Sequence, residues 1–157
     1  MARITVNTTG TQPVLEISTD VANVANAALA VTCLQDITIT NSTGIYSWVD
    51  FCSTDMNKIT TPADNEISTN MVLDGEVFFG TDSVSPTTAA EYGVAALSND
   101  KVNISWKLYM NGTANGAYYY TGTGYVSSVA PTVSPDAPVW ISPLTIAVDG
   151  SMTTGTV

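Results

Sequence analysis

The chain contains no histidine. That removes the commonest general base near neutral pH and the commonest transition-metal ligand. Cations are almost as scarce. Arg3, Lys58, Lys101 and Lys107 stand against 14 carboxylates, for a formal charge of −10. Gripping a nucleic-acid backbone takes clustered cations that displace counterions. These four form no basic patch, which argues against DNA binding and against docking on anionic membranes. Only two cysteines occur, Cys33 and Cys52, in 157 residues. That is too few for a disulfide scaffold. Both are read as reduced thiols beside apolar neighbours, in or near the core, with one disulfide as the alternative. The opening MARITVNTTG has one Arg and no apolar core, so it does not read as a signal peptide. No apolar run reaches the roughly 18 residues of a membrane span. Synthesis and retention in a cytoplasm follow as the expectation. Asn-x-Ser/Thr sequons at Asn7, Asn41, Asn103 and Asn111 are read as chance in a Ser/Thr-rich chain.

Catalytic patterns are missing too. There is no G-x-S-x-G, no Ser-x-x-Lys and no phosphate-binding loop around the glycines of residues 112–124. A cysteine nucleophile would lack its usual partner base. Asp74 and Glu76 are close enough to suggest a glycosidase pair or a calcium site. However, no second strand supplies a facing acid and no Gly-centred acidic loop surrounds them, so they read as the wet face of a strand. No catalytic residue, metal or cofactor is expected.

What is present is globular. Apolar residues make up 45% of the chain and charged ones only 11%, the reverse of a disordered composition. Thr, Val, Ile and Tyr favour pleated, half-buried surfaces. Short strands are expected at residues 3–8 and 14–18. Residues 20–30 read as a short helix or a mobile connection. Residues 31–40 and 45–51 form a plausible hairpin about the turn cluster Asn41-Ser42-Thr43-Gly44, and residues 53–64 an exposed loop. The clearest strand is 66–79, where Ile67, Thr69, Met71, Leu73 and Val77 alternate with Ser68, Asn70, Asp74 and Glu76. Ser85-Pro86 reads as an N-cap followed by a first-turn proline, opening one helix over about residues 86–98. Residues 102–110 alternate again. Residues 118–129 form a long strand whose Gly122 and Gly124 suggest a bulge or close backbone contact. The last strand is 140–148. Trp48, Trp106 and Trp140 are assigned to core or subunit contact, and the run Tyr118-Tyr119-Tyr120 to interface or core. No internal boundary divides the chain. The sequence predicts one mainly β domain over residues 1–157, an antiparallel sandwich or barrel with one packed helix. An extended arm is expected over residues 1–14 and a loose tail over 150–157.

The order of elements resembles the major tail proteins, or tail tube proteins, of long-tailed bacteriophages and phage-like gene transfer agents. The likeness rests on EISTNMVLDGEVFF after an exposed loop, on the single helix between two groups of strands, and on the ending. That ending has a GTGYVSSV strand, an SPDAPV turn and a final strand closing on Asp149-Gly150. Trp140 and Pro143 depart from the plainer β residues usual there. The resemblance spans about residues 31–150.

It implies a non-enzymatic virion subunit, assembled in the host bacterial cytoplasm, forming stacked hexameric rings. The resulting tail tube would conduct double-stranded DNA without binding it specifically. Implied partners are copies of the chain and the tape-measure, distal tail and tail-terminator proteins, with no membrane insertion by this chain. Asp36, Asp74, Glu76 and Asp149 are the lumen-facing candidates. Arg3, Ile4, Asp55, Lys58 and Asp64 are the inter-ring candidates. The competing reading is a surface-exposed carbohydrate-binding or adhesin-like β-sandwich, with a small hydrolase as the third.

Overall fold

The computed structural model describes residues 12–51 and 54–157. They form β1 Val14–Ser18, β2 Leu29–Val31, β3 Leu34–Trp48, β4 Asn57–Val72, α1 Gly75–Phe79, α2 Ala89–Asn99, β5 Asn103–Tyr109, β6 Tyr118–Val129 and β7 Ile141–Thr156. The strands make one sheet in the order β2-β1-β5-β6-β7-β4-β3, and every pairing is antiparallel. The mainly β, antiparallel class with a packed helix is the one the sequence predicts. The strands belong to a single sheet, and two helices supply the second layer.

Strand alternation gives the sheet two unlike faces. One carries Leu15 and Ile17 from β1, Ile104, Trp106 and Leu108 from β5, Val126 from β6, Leu144 and Ile146 from β7, and Ile67 and Met71 from β4. All are buried, and Phe78 of α1 with Ala89, Val94 and Leu97 of α2 closes over them. Trp106 is wholly buried at the centre. Gly122 lies directly across from it, where even a Cβ would stand 3.0 Å from the indole ring. The Trp106 Nε1–H donates to the Thr123 carbonyl at 3.3 Å. A register shift between Thr121 and Thr123 marks the irregularity expected of these glycines.

Several boundaries differ from expectation. The strand read over 66–79 stops at Val72, and the chain turns into α1. Asp74 is the N-cap of α1, its Oδ1 accepting from the N–H groups of Glu76 (3.0 Å) and Val77 (3.2 Å). The helix begins there because the carboxylate satisfies N–H donors that have no partner within the helix. Leu73 and Val77 only mimic strand alternation. Residues 20–27 are turns, not a helix. Asp20 organises them by accepting from Ala22 N (3.0 Å), Asn23 N (3.2 Å) and Asn26 Nδ2 (3.0 Å). Cys33, expected near the core, is exposed in the left-handed region at φ +58. The tail expected to be loose from residue 150 continues β7 to Thr156, held by pairing with β6.

The long helix starts at Ala89, capped by Thr88 instead of Ser85. Thr88 and Glu91 form a capping box, the T-x-x-E pattern of Thr88-Ala89-Ala90-Glu91. Glu91 Oε2 accepts from Thr87 N (2.7 Å), Thr87 Oγ (2.9 Å) and Thr88 N (2.9 Å). The backbone donors of Thr87 and Thr88 pull its carboxyl from 4.5 down to about 2. A depressed folded-state value means stability that is present above the unfolded value and lost as pH falls through the folded one. The window here runs from 4.5 down to about 2. Glu91→Gln should therefore melt below the parent near neutral pH, and the gap should close as both are titrated to about pH 2. Thermal melts across that range check this, and a gap that does not change with pH would contradict it.

Candidate assembly surfaces

The face of the sheet away from the helices is polar. By strand alternation it presents Glu16 on β1, Lys107 on β5, Thr121 and Thr123 on β6, Thr145 and Asp149 on β7, and Glu66 and Ser68 on β4. The cross-strand pairs Glu16↔Lys107, Lys107↔Thr121, Thr123↔Asp149, Ser68↔Thr145 and Thr40↔Glu66 tie this face into one array. Hydroxyls dominate it and carboxylates outnumber its cation. That cation is not presented freely. The Lys107 ammonium lies 4.0 Å from the Tyr119 ring centroid and 4.9 Å from that of Tyr109. The Tyr109 hydroxyl in turn donates to Glu16 Oε2 at 3.2 Å. The two rings and the neighbouring carboxylate offset its field on this face.

The four lumen candidates separate. Asp149 lies on the polar face, opposite Thr123. Asp36 is exposed at a register shift of the edge strand β3, at φ +52. Asp74 and Glu76 share no strand face: both belong to α1, in the helical layer. Glu16 and Glu66 are not among the four, yet both lie on the polar face. The signal for Glu66 is in the sequence, since the alternation that points Ile67 and Met71 inward puts it on the opposite face.

The second surface is an arm. β4 pairs with β7 only from Asn65 to Val72, while its pairing with β3 continues out to Asn57↔Trp48. The outer halves of β3 and β4 therefore leave the sheet as a two-stranded ribbon. This overturns two expectations. Residues 41–44 are not the hairpin turn, and most of the expected 53–64 loop is strand. Gly44 faces Thr61 and Pro62 at a bulge between the pairs Thr43↔Ala63 and Ile45↔Thr60, a position that tolerates proline. An isolated two-stranded ribbon is marginal in water, and the end of this one is apolar. Ile45, Tyr46, Val49, Phe51, Met56 and Ile59 are each more than half exposed. Tyr46 and Trp48 stack at 6.0 Å, and Tyr46 sits opposite Ile59. Monomeric proteins seldom leave such patches uncovered.

Of the inter-ring candidates, Lys58 and Asp64 lie on the arm, opposite Ser47 and Ser42. Asp55 lies in the connection between β3 and β4. Arg3 and Ile4 fall outside the described residues, as does Cys52. The apolar residues of the arm are the stronger signal. Sequence alone hides them, because an aromatic run such as Ile45–Phe51 has the look of a buried strand.

No group of three or more metal-capable side chains occurs among the described residues. No helix there is long and apolar enough to cross a membrane. A hollow of about 490 Å³ is lined by Met110, Tyr118, Tyr119, Tyr120, Thr154 and Thr156 among others, and none of its lining residues is a carboxylate or an amine.

No protein-family model matches the sequence, and no curated protein is similar to it. Solved structures are similar. The tail of an empty gene transfer agent particle, refined with helical and C6 symmetry, aligns at a TM-score of 0.61 and 11% identity, covering 90% of this chain and 95% of that one. The virion of a native gene transfer agent particle gives 0.58 at 12% identity, with the same coverages of 90% and 95%. The chain has the fold of a phage-like tail protein. A 6-fold symmetrised anti-feeding prophage baseplate extends the likeness, with a TM-score of 0.54, 5% identity and 97% of both chains covered. Identities this low speak for the tail-protein fold alone.

Proposed function

We propose that this chain is the structural subunit of a tail tube, built from stacked hexameric rings, through which double-stranded DNA leaves a virion. It is not an enzyme. The observation that carries this reading is the likeness, over 90% of the chain, to the tail of a particle with C6 symmetry. Two surface properties support it. The arm supplies apolar area that only another protein surface would cover. Burying a large apolar side chain contributes about 1.5–3 kcal/mol. Six of them are thus on the scale of the roughly 4–15 kcal/mol that association costs. A single arm contact is marginal, and a ring that makes many at once is not.

The helix-free face then lines the channel. Six copies at −10 each carry a formal −60 per ring. Glu16, Glu66 and Asp149 repel a polyanion, and Lys107 is held against its tyrosines. Asp36 falls at the sheet edge, near a seam, and Asp74 and Glu76 on the outer helical layer. The arm, with Asp55, Lys58 and Asp64, reaches the next ring, as do Arg3 and Ile4 of the amino-terminal segment. Tape-measure, distal tail and tail-terminator proteins would meet the same surfaces at the ends of the tube, in a virion assembled in the host cytoplasm. Concentrated purified protein should form hollow rods in negative-stain microscopy.

One observation favours a second reading. The tyrosine-lined hollow at Tyr118–Tyr120 could stack a sugar ring, as a carbohydrate-binding or adhesin-like module would. Monomers at high concentration that bind oligosaccharides would support that reading and overturn the tube.

A further inference from the structure

The sheet divides into a fork. β4 and β7 pair as far as Asn65↔Val148. Beyond that point β4 continues with β3 alone and β7 with β6 alone. Two strand edges thus part from a common apex, and a cavity of about 470 Å³ lies between them, lined by Asn41, Pro62, Ala63, Asn65, Gly150 and Met152 among others.

The edges of this sheet are not equally protected. A free edge is normally blunted by charge, proline, bulges or brevity. β2 has three residues. β3 carries Asp36 and two register shifts. The outer half of β4 carries Lys58, Pro62 and Asp64. The stretch of β7 beyond the apex, Ser151-Met152-Thr153-Thr154-Gly155-Thr156, has no charge and no proline. Its direction is fixed by hydrogen bonds at both ends. Val157 N donates to Ala117 O at 2.9 Å, and Thr153 pairs with Thr121. By antiparallel alternation, Thr153 and Gly155 turn their backbone groups toward β6. Thr154 and Thr156 turn theirs outward into the fork. At the apex, Asn65 Nδ2 donates to the Gly150 carbonyl at 3.1 Å. The Asn65 Oδ1, on a residue 5% exposed, has no hydrogen-bond partner among the described residues. A buried carbonyl without a donor is uncommon in folded proteins.

We infer that this fork receives a strand from a second copy of the chain, which adds to the outer edge of β7 from Gly150 to Thr156. The inference rests on the tube reading and specifies which edge is extended. Two features point to a second copy. The residues that line the cavity at the apex carry no charge, so two chains of like sign meet there without repulsion. One wall is the base of the arm, whose apolar end already calls for a neighbouring copy, so both contacts belong to one continuous interface.

Hydrogen–deuterium exchange on wild-type protein, assembled and unassembled, tests this. The amides of Thr154 and Thr156 should exchange at least about tenfold more slowly in the assembly, while those of Thr153 and Gly155 are slow in both states. Thr154→Pro removes one outward N–H and no bond to β6, a placement proline tolerates on an edge. It should keep the monomer's far-UV spectrum and raise the concentration needed for assembly about tenfold. If the wild type assembles while Thr154 and Thr156 stay unprotected, the fork inference falls and the tube reading stands. The fork inference also falls, and the tube reading again stands, if folded Thr154→Pro assembles like the parent. If the wild type does not assemble at all, both fall. Should Thr154→Pro fail to fold, the wild-type exchange rates decide alone.

Discussion

Gly93→Ala should destabilise the monomer by about 3 kcal/mol or more, a large effect for a single added methyl group. Gly93 interrupts α2 at φ +67, ψ 163, a region open in practice only to glycine. The break lets the two helices meet. Ala90 and Glu91 turn their carbonyls to Thr81 N (3.2 Å) and Asp82 N (3.3 Å). The backbones of Gly93 and Gly80 then come into direct contact. A Cβ on Gly93 would overlap Gly80 N and the Phe79 carbonyl carbon, and one on Gly80 would overlap the Glu91 carbonyl. These are backbone atoms and cannot swing aside. To admit the methyl, α1 must move off α2, which loosens Phe78 from the core. Forcing an L-residue into such a conformation costs about 1–3 kcal/mol before any displacement. At this chain length each kcal/mol lowers Tm by about 2–4 °C, so a fall of roughly 6–12 °C is the expected readout. Gly75→Ala is the control. Nothing lies within 4 Å of its Cβ position, and the change should be neutral or stabilising by up to about 1 kcal/mol. Equal melting of the two variants would contradict the packing described here.

The converse pattern is expected on the arm. Tyr46→Ser with Ile59→Ser should leave the monomer's stability within about 1 kcal/mol, because both side chains are more than half exposed. It should nonetheless abolish assembly. The two face each other across the ribbon, so the double change empties the middle of the apolar surface and leaves the core intact. At the six-fold repetition proposed for a ring, losing even about 2 kcal/mol per contact multiplies into a total no assembly tolerates. Sedimentation velocity together with thermal melts separates the two effects. Normal polymers from the double variant would remove the arm from the interface.

Where one face of a strand is buried, the sequence carries its own address. Ile67, Thr69 and Met71 alternate with Glu66, Ser68 and Asn70 because half of β4 is wet. The buried Ile104, Trp106 and Leu108 of β5 follow the same rule. The arm escapes it. Neither face of that ribbon touches the core, so Asn41-Ser42-Thr43-Gly44 reads as a turn although it lies within β3. The end of β7 escapes it too, since Gly, Ser and Thr held only by main-chain pairing have no pattern to show. α1 hides behind two residues in strand phase. Asp74 before it and Gly80 after it are the cap signals that reveal it. As for the assembly surfaces, the acidity is plain in composition, but its position is not. Asp149 is expected on a wet strand and lies on one. Asp74 and Glu76 belong to the helical layer because their strand ends at Val72, and Glu16 and Glu66 take their place on the polar face.

The central claim is that the helix-free face of the sheet lines a six-fold channel, and a helical reconstruction of filaments grown from the purified chain tests it most directly. The predicted result is a hollow tube with six subunits per ring, with Glu16, Glu66 and Asp149 on the inner wall and α1 and α2 outside. Tubes with the helices turned inward, or a protein that stays monomeric at every concentration, would contradict it.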